Sequence, residues 1–231
     1  TVRTSGYKIV RLANGVHSVH SLAHRETFHP VIGPVAEAEA LYVNQLQLRE
    51  RLNHHSGEFV IWDVGLGAAA NALTVLRATR EFACPIRLVS FDHTIEPLKF
   101  ALQNAAALGY FGGYETQTQA ILHQSAVQFT DGAHEVNWQF HLGDFPAFLQ
   151  AAAVGRVTPC APPCGTGKSS PALEIGARGA TRPTIDEMAS SVSEPDKRKL
   201  GLQPAPHAIL FDAFSPAKNP AMWTLPLFTH L

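Results

Sequence analysis

The fold of this chain is decided by the stretch Glu58-Phe59-Val60-Ile61-Trp62-Asp63-Val64-Gly65-Leu66-Gly67-Ala68-Ala69-Ala70-Asn71. Its apolar run over 59–64 is typical of a strand that is buried on both faces of a parallel sheet. Gly65 and Gly67 then lead into Ala68–Arg80, which is rich in Ala and Leu, contains no Gly or Pro and predicts a helix. A strand, a glycine turn and a helix open a nucleotide-binding α/β domain, because glycines let a ligand approach the backbone and the helix start offers free N–H groups.

The residue before this turn distinguishes between two classes of ligand. The run from Gly65 to Ala70 has the form G-x-G-x-x-A, which the dinucleotide fingerprint tolerates. However, Asp63 lies two positions before the first glycine. Acid-x-Gly-x-Gly is the form of S-adenosylmethionine (SAM) methyltransferases, in which the carboxylate lies near the amino acid end of the ligand. A glycine turn alone fits a structural turn of an α/β sheet equally well, so both interpretations stay open at this point.

Composition limits the class of protein. The 231 residues, 45% of them hydrophobic, suffice for one domain with its own core. The formal net charge of -1 provides no general basic field for nucleic acid, so an RNA contact would need a local patch. Three Cys favour a reducing compartment without a disulfide framework. No signal peptide and no apolar run of about 18 residues is evident, which predicts a soluble, cytoplasmic protein with no membrane partner.

The sequence predicts a single domain over 1–231 that is built in parts. An N-terminal hairpin and helix occupy 1–57, the core occupies 58–154 and 207–231, and an insertion occupies 155–206. The chain begins with Thr rather than Met, which indicates a fragment or a trimmed chain.

The N-terminal part contains two predicted elements and several histidines. Thr1–Val19 alternates around Asn14-Gly15, which predicts a β-hairpin. Val35–Leu52 has apolar residues at helical spacing and predicts one amphipathic helix. Four histidines fall in the first 29 residues: His17, His20, His24 and His29. Their spacings match no single helix and no Cys is near, so we interpret them as surface or loop histidines and expect no metal.

Two further strands are predicted to end in acids. Ile86–Asp92 is an apolar strand whose acid follows Gly67 by about 25 residues, the separation at which a carboxylate reaches the ribose hydroxyls in nucleotide-binding α/β folds. A helix cap or an exposed loop acid is the alternative for Asp92. Pro97–Leu108 predicts the next helix, ended by Gly109, and Gly112–Gln128 is predicted to be helical in its second half.

A third strand, Val136–Leu142, ends in Gly143-Asp144. In a methyltransferase fold an acid here contacts the adenine. An equally good interpretation makes Asp144 the N-cap of a helix over Ala147–Ala153, and one residue can serve both roles.

The segment Gly155–Pro206 has a different composition. It holds eight of the chain's 16 Pro and few large apolar residues, which predicts a flexible insertion with one helical turn around Ile185–Ser191. Gly165-Thr166-Gly167-Lys168-Ser169 lacks the first glycine of a phosphate loop, where Pro162 stands. Cys160 and Cys164 have no second pair, so we expect no metal site there.

The fourth strand, His207–Asp212, runs into 213–220 and then a short helix to Leu231. Open doubly wound sheets normally continue with more strands, so we expect the C-terminal strands to be incomplete in this chain.

The block Phe211-Asp212-Ala213-Phe214-Ser215-Pro216-Ala217-Lys218-Asn219-Pro220-Ala221-Met222-Trp223 resembles one specific family. This is the methyltransferase component of the enzyme that completes 5-methylaminomethyl-2-thiouridine at the tRNA wobble position, in which the fourth strand ends in a near-identical Asp-Gly-Phe-Ala-Pro-Ala-Lys-Asn-Pro-x-Met-Trp. The glycine turn with its acid and later Asn matches, as does Phe91-Asp92. The resemblance covers about 16–149 and 207–231.

The resemblance implies an α/β, Rossmann-like SAM-dependent methyltransferase fold with a doubly wound, mostly parallel sheet. It implies SAM as methyl donor, no metal, and transfer to the amine of an aminomethyluridine in tRNA. The family is often fused to a flavin oxidase domain, so a flavin-dependent oxidase is an implied partner. The residues implied for SAM binding are Asp63, Gly65, Gly67, Asn71, Asp92, Gly143 and Asp144.

Asp212 is the implied catalytic residue, because a carboxylate at this strand end can orient the amine and take a proton. The implied substrate-binding residues are Phe214, Pro216, Lys218 and Asn219. Phe214 would stack on the flipped wobble base, and Lys218 would either neutralise a phosphate or be solvated.

Three departures from the family pattern leave alternatives open. Ala69 replaces the third glycine of the turn, which we expect to narrow the room for the methionine end of SAM, and Ala213 replaces a glycine. The insertion and the missing strands have no family counterpart. A methyltransferase of another amine or small molecule therefore remains an alternative, as does a truncated, non-catalytic SAM-binding member, although the intact Asp212 and Asn219 argue against decay. A dehydrogenase that binds NAD is disfavoured because no catalytic His or Lys–Tyr pair is evident.

Overall fold

Two β-sheets organise the residues that the computed structural model describes, 6–154 and 204–230. The smaller sheet is antiparallel, in the order β1-β2-β3, with β1 at Tyr7–Arg11, β2 at His17–Ser21 and β3 at Glu26–Thr27. The side chain of Asn14 accepts a hydrogen bond from the Val16 N–H across the β1–β2 turn. The predicted hairpin is confirmed, and a third strand extends it.

The larger sheet has five strands in the order β6-β7-β5-β4-β8. The strands are β4 (Phe59–Val64), β5 (Ile86–Asp92), β6 (Ala126–Asp131), β7 (His134–Leu142) and β8 (Ala208–Phe211). All neighbours are parallel except β6 and β7. The predicted α/β, Rossmann-like, doubly wound and mostly parallel fold is confirmed.

The strand order fixes where a ligand can bind. From β4 the chain builds outward through β5 to β7, and β8 then returns to pair with the other edge of β4. The direction of winding therefore reverses at β4. In open α/β sheets such a reversal leaves a crevice at the carboxyl ends of the strands, where ligands bind.

Helices cover both faces of the larger sheet. They are α1 (Pro34–Ala38), α2 (Leu48–His54), α3 (Ala70–Thr79), α4 (Glu96–Gln103), α5 (Ala105–Leu108), α6 (Glu115–Gln124), α7 (Phe145–Val154) and α8 (Leu225–His230), with a π-helical segment at Glu39–Asn44 and a 3-10 turn at Pro220–Trp223. On β4, Phe59 and Ile61 pack into the core that includes α3, whereas Val60 and Trp62 pack with α7 and α8. This two-sided burial explains why the strand reads as a continuous apolar run.

The predicted single helix over Val35–Leu52 is wrong, because the segment is interrupted. The Gln45 N–H bonds to the Ala40 carbonyl five residues back, and Gln47 adopts a left-handed conformation with φ +52° before α2 begins. Val43 and Leu48 are both buried. A regular helix would place positions five apart about 140° apart around its axis. The interruption turns both side chains into the core.

Two other helix predictions are corrected. Within Gly112–Gln128 the helix ends at Gln124, and β6 begins at Ala126. The missed signal is Asp131-Gly132, a pair typical of a tight hairpin turn, between β6 and β7. The predicted helix over Pro97–Leu108 is divided into α4 and α5 at Asn104, whose side chain bonds to the Phe100 carbonyl at 2.8 Å.

The predictions that fall on 155–203 lie outside the described residues. They are the insertion itself, the helical turn at 185–191, the run that resembles a phosphate loop, and Cys160 with Cys164. Among the residues that are described, none of the helices combines the length and apolar character needed to traverse a lipid bilayer.

Candidate active-site cleft

Two adjoining cavities of about 250 and 360 Å³ lie at the carboxyl ends of β4, β5 and β8. They share five lining residues, namely Gly65, Asp92, His93, Phe214 and Asn219, and we call the two together the cleft. The larger cavity lies between the glycine turn and residues 26–30, and the smaller one reaches Gly143, Asp144 and Lys218. The cleft is in the size range of sites for small molecules.

Gly65 lets the glycine turn approach the chain that follows β8. Its φ is +93°, and a Cβ atom added there would overlap the backbone carbonyl of Asp212, lying 2.8 Å from its carbon. The Gly65 N–H donates to the Phe91 carbonyl at 2.9 Å. Only glycine satisfies both the left-handed backbone and this close approach. The turn thereby draws the ends of β4, β5 and β8 together.

Asp92 binds the second glycine of the turn. Its Oδ2 accepts the Gly67 N–H at 2.9 Å and its Oδ1 accepts the Thr94 N–H at 3.1 Å. His93 Nδ1 lies 3.2 Å from Asp92 Oδ1, and this hydrogen bond raises the pKa of His93 against the opposing effect of burial. A carboxylate oxygen can accept two hydrogen bonds, so Oδ2, which has one partner, keeps acceptor capacity, whereas Oδ1 already has two partners. The ribose role of Asp92 stays a prediction.

Asp63 lies beneath the cleft rather than on its wall. It is 1% exposed, and its Oδ2 accepts a hydrogen bond from the Ser90 hydroxyl at 2.8 Å. Ser90 Oγ in turn accepts from Trp138 Nε1 at 3.0 Å. Asp63 Oδ1 is buried and finds no hydrogen-bond partner within 6–154 and 204–230. Burial raises the pKa of Asp63 to about 7, against the Ser90 hydrogen bond and aided by the charges of Asp212 and Asp92.

Asn71 reaches the cleft through Asp212. Its Nδ2 donates to Asp212 Oδ2 at 2.7 Å, and the Asn71 side chain is buried at the start of α3. The contact between Asn71 and SAM that the resemblance implies stays a prediction. The contact that the structure shows fixes the orientation of the Asp212 carboxylate.

His29 is a residue of the cleft that the sequence interpretation missed. Its Nε2 lies 3.4 Å from Asp212 Oδ2 and its Nδ1 lies 3.5 Å from Glu37 Oε1, both ion-pair separations. The His29 side chain is only 7% exposed, so it is not a surface histidine, although it lies in the loop between β3 and α1 as the alternative interpretation has it. Its backbone has a φ of +50°, which is uncommon outside glycine and is found at functional sites. No local pattern in Ser21–Pro34 reveals this conformation or the distant carboxylate.

The three side chains influence each other's charge. Burial lowers the pKa of His29, but its contact with Glu37 and the charges of Asp212 and Glu37 outweigh burial and raise the pKa above its ordinary value. Burial raises the pKa of Asp212 above its ordinary value, and the charges of Glu37 and Glu26 add to this, while His29 and Asn71 oppose it without reversing it. A histidine and a carboxylate in this arrangement stabilise each other's charged forms.

Gly143 and Asp144 border the smaller cavity. Asp144 Oδ2 accepts the Ala147 N–H at 3.2 Å, so Asp144 caps the helix that follows, and α7 begins at Phe145. The helix-cap interpretation is confirmed, and the adenine contact stays a prediction.

The predicted substrate residues come together on the cleft wall. Phe214 and Asn219 line both cavities, Pro216 lines the larger and Lys218 the smaller. The ring of Phe214 stacks on His24 with centroids 4.2 Å apart. Trp223 Nε1 donates to the Phe214 carbonyl at 2.8 Å and holds this loop in place.

Ala69 does not narrow the cleft, contrary to the sequence-based expectation. It is fully buried at the start of α3, with φ +62°, and its methyl group packs in the hydrophobic core. Ala213, the other departure, lines the larger cavity. Within 6–154 and 204–230, no group of three or more His, Cys, Asp or Glu side chains has a metal-binding arrangement.

The sequence matches no protein-family model and no curated protein sequence. The structure is similar to the crystal structure of MNMC2 from Aquifex aeolicus, with a TM-score of 0.56 and 16% sequence identity. The similarity covers 99% of this chain and 56% of that chain, so this chain spans little more than half the length of the solved protein. At this identity the comparison establishes a shared fold.

Proposed function

We propose that this chain is a SAM-dependent methyltransferase that N-methylates the aminomethyl group of a tRNA wobble uridine. The observation that carries the proposal is the position of Asp212, on the cleft wall at the end of β8, with Asn71 and His29 against one of its oxygens. Two findings support it. The fold is that of MNMC2, which belongs to the family that the block after β8 resembles, and that block lies at the cleft.

The residues of the cleft fit SAM as donor. Gly65 and Gly67 present backbone without side chains, and Asp92 Oδ2 offers an acceptor for a ribose hydroxyl. Gly143 and Asp144 border the smaller cavity, where the adenine would lie. Asp63 and Asn71 support this site from below. When bound, SAM supplies a methyl group that its sulfonium already activates.

Asp212 acts on the acceptor amine. It orients the ammonium group by charge and accepts the proton that the amine must lose before its lone pair can attack the methyl carbon. Asn71 holds the carboxylate in place, since it bonds Asp212 Oδ2 at 2.7 Å. Phe214 would pack against the flipped uracil ring, and Lys218 would contact a tRNA phosphate. The proposed partners are tRNA and, on resemblance alone, a flavin-dependent oxidase in the cytoplasm.

A second candidate is the methylation of another, small amine. Among the described residues that line the cleft, five are acids and one, Lys218, is a lysine. The acids are Glu26, Glu37, Asp92, Asp144 and Asp212. An acidic wall favours a cationic amine and opposes phosphates. The formal net charge of -1 points the same way.

Calorimetric titration with S-adenosylhomocysteine and, separately, with NAD tests the donor site. We expect micromolar binding of S-adenosylhomocysteine, its loss in Asp92→Ala, and no binding of NAD. A folded protein that binds neither ligand would overturn the enzyme proposal.

Methyl transfer to undermodified tRNA and to a small primary amine then tests the acceptor, with Asp212→Asn as the inactive control. Transfer to tRNA supports the proposal, and transfer only to the small amine supports the second candidate. Binding of S-adenosylhomocysteine with no transfer to either would indicate a non-catalytic member of the fold.

A further inference from the structure

His29 is the one buried histidine along the described wall of the cleft that faces carboxylates through both ring nitrogens. We propose that His29 is a positioning residue that acts as an imidazolium, holding Asp212 ionised so that it can accept the proton of an ammonium substrate. The inference rests on the proposed function, because Asp212 is the proposed base.

The charge of the imidazole ring and the number of its N–H groups carry the argument. Neutral imidazole has one N–H donor and one acceptor nitrogen, whereas imidazolium donates through both nitrogens. In His29, Nε2 lies 3.4 Å from Asp212 Oδ2 and Nδ1 lies 3.5 Å from Glu37 Oε1, which are ion-pair separations, and the buried Nδ1 has no hydrogen-bond partner within 6–154 and 204–230. An acceptor lone pair facing either carboxylate would be repelled. The arrangement therefore suits the protonated ring.

The acids around the pair favour protonated His29 but oppose the ionised form of Asp212, so Asp212 depends on His29 and Asn71 to stay charged. Glu37 comes from α1, Glu26 from β3, and Asp212 follows β8, so three different elements present acids. Asp63 adds to this field when ionised. Tyr42, on the π-helical segment, directs its hydroxyl to the Phe211 carbonyl at 2.9 Å, and burial raises its pKa, so it stays neutral. None of these groups competes with His29 as a cation.

The pair is held in a position that solvent screens weakly. The His29 side chain is 7% exposed and the Asp212 side chain 35% exposed, so the carboxylate reaches the cleft while the ring does not. Both Asn71 and His29 contact Oδ2. Asp212 Oδ1 is thereby left for the substrate.

The role of His29 in the reaction is electrostatic. The ammonium proton moves to the Asp212 carboxylate, and the freed nitrogen lone pair forms the bond to the methyl carbon. The carbon–sulfur bond breaks with its electron pair remaining on sulfur. His29 stays protonated throughout and exchanges no proton with the substrate. Without it, burial would favour protonated Asp212, which cannot accept the proton.

Nuclear magnetic resonance on the ligand-free protein tests the inference without any reaction. We expect the ¹⁵N shifts of His29 to report a doubly protonated ring at pH 7, and ¹³C-carboxyl titration to show a higher pKa for Asp212 in His29→Asn. Asparagine tolerates the left-handed backbone of this position. His123→Gln, an exposed histidine on α6, is the matched control and should leave Asp212 unchanged. A neutral His29 at pH 7, or an Asp212 that titrates alike in both proteins, would overturn it.

The pH profile of methyl transfer separates this role from a merely structural one. In His29→Asn we expect kcat/KM to fall about tenfold at pH 6 and to approach the wild-type value at high pH, where His29 itself loses its proton. An equal loss at every pH would overturn the inference. Glu37→Gln should lower the pH at which the His29 ring loses its second proton, because Glu37 stabilises the imidazolium, whereas Glu39→Gln, whose carboxylate binds Arg49 at 2.7 Å, should not. A protein without methyl transfer leaves the resonance result intact, so the two proposals fail separately.

Discussion

The cleft has two walls of different origin. The sheet wall consists of Gly65, Gly67, Asp92 and Asp212 at the ends of parallel strands, and the N-terminal wall consists of residues 26–30 with Glu37. In the sheet wall, regular pairing of β4 with β5 and β8 fixes each position. His29 in the N-terminal wall and Arg25 just before it both have positive φ, so the position of this wall depends on local strain and on contacts across the cleft. One wall is set by regular structure and the other by tertiary contacts.

The walls meet at a few contacts. His29 faces Asp212, and the Ser215 hydroxyl donates to Glu26 Oε2 at 3.3 Å. A Cβ atom added at Gly67 would lie 3.2 Å from the ring of Phe28. Substitutions at these residues and beneath them show how far each wall depends on the other.

Asp212→Asn carries the largest expected effect. The amide keeps the shape of the side chain and can still accept the Asn71 hydrogen bond, but it cannot take a proton. We expect kcat for methyl transfer to fall about 10²- to 10⁴-fold. The affinity for S-adenosylhomocysteine should remain within about twofold. Full activity in this variant would exclude Asp212 as the base.

Gly65→Ala tests the close approach of the sheet wall to the chain after β8. The added Cβ atom overlaps the Asp212 backbone carbonyl, and the alanine must also adopt a φ of +93°. We expect a loss of about 3 kcal/mol in the free energy of unfolding, measured with urea. Gly57→Ala is the matched control, since Gly57 has φ +88° and nothing within 4 Å of an added Cβ. We expect Gly57→Ala to lower the free energy of unfolding by about 1 kcal/mol, which is the cost of the left-handed backbone alone. Equal losses would show that the approach is not tight.

Asp63→Asn tests the buried acid beneath the sheet wall. The pKa of Asp63 is raised to about 7 in the folded protein, above its ordinary 3.8. The folded state therefore binds more protons than the unfolded state between these values, and the stability that Asp63 contributes is present below about pH 4 and lost as pH rises through about 7. Relative to wild type, Asp63→Asn should gain about 2 kcal/mol between pH 5 and pH 8. Urea unfolding at both pH values measures this, and parallel curves would contradict the raised pKa.

The same contrast explains what the sequence could predict. Strands β4, β5 and β8 appear as mostly apolar runs and β7 as an alternating one, and parallel strands bring Asp92 and Asp212 to one edge where they pair. The motif after β8 placed Phe214 and Lys218 beside them. His29 could not be found this way, because its role arises from a φ of +50° and from a carboxylate 183 positions away in the chain. The interruption of the helix at Gln47 could not be predicted either, because it depends on the packing of Leu48 in the core, which overrides the local helical periodicity.

Ala69→Gly should have the smallest effect. It tests whether alanine, in place of the third glycine of the turn, affects ligand binding. Glycine relieves the left-handed alanine by about 1 kcal/mol, but it loses a buried methyl group worth about 0.8 kcal/mol and adds chain entropy to the unfolded state. We expect a change in stability below about 1 kcal/mol. Because the methyl group packs in the core, the affinity for S-adenosylhomocysteine should change less than about twofold in calorimetry. A tenfold gain in affinity would instead mean that the methyl group limits the cleft, and that the sheet wall is less fixed by its strands than its regular pairing indicates.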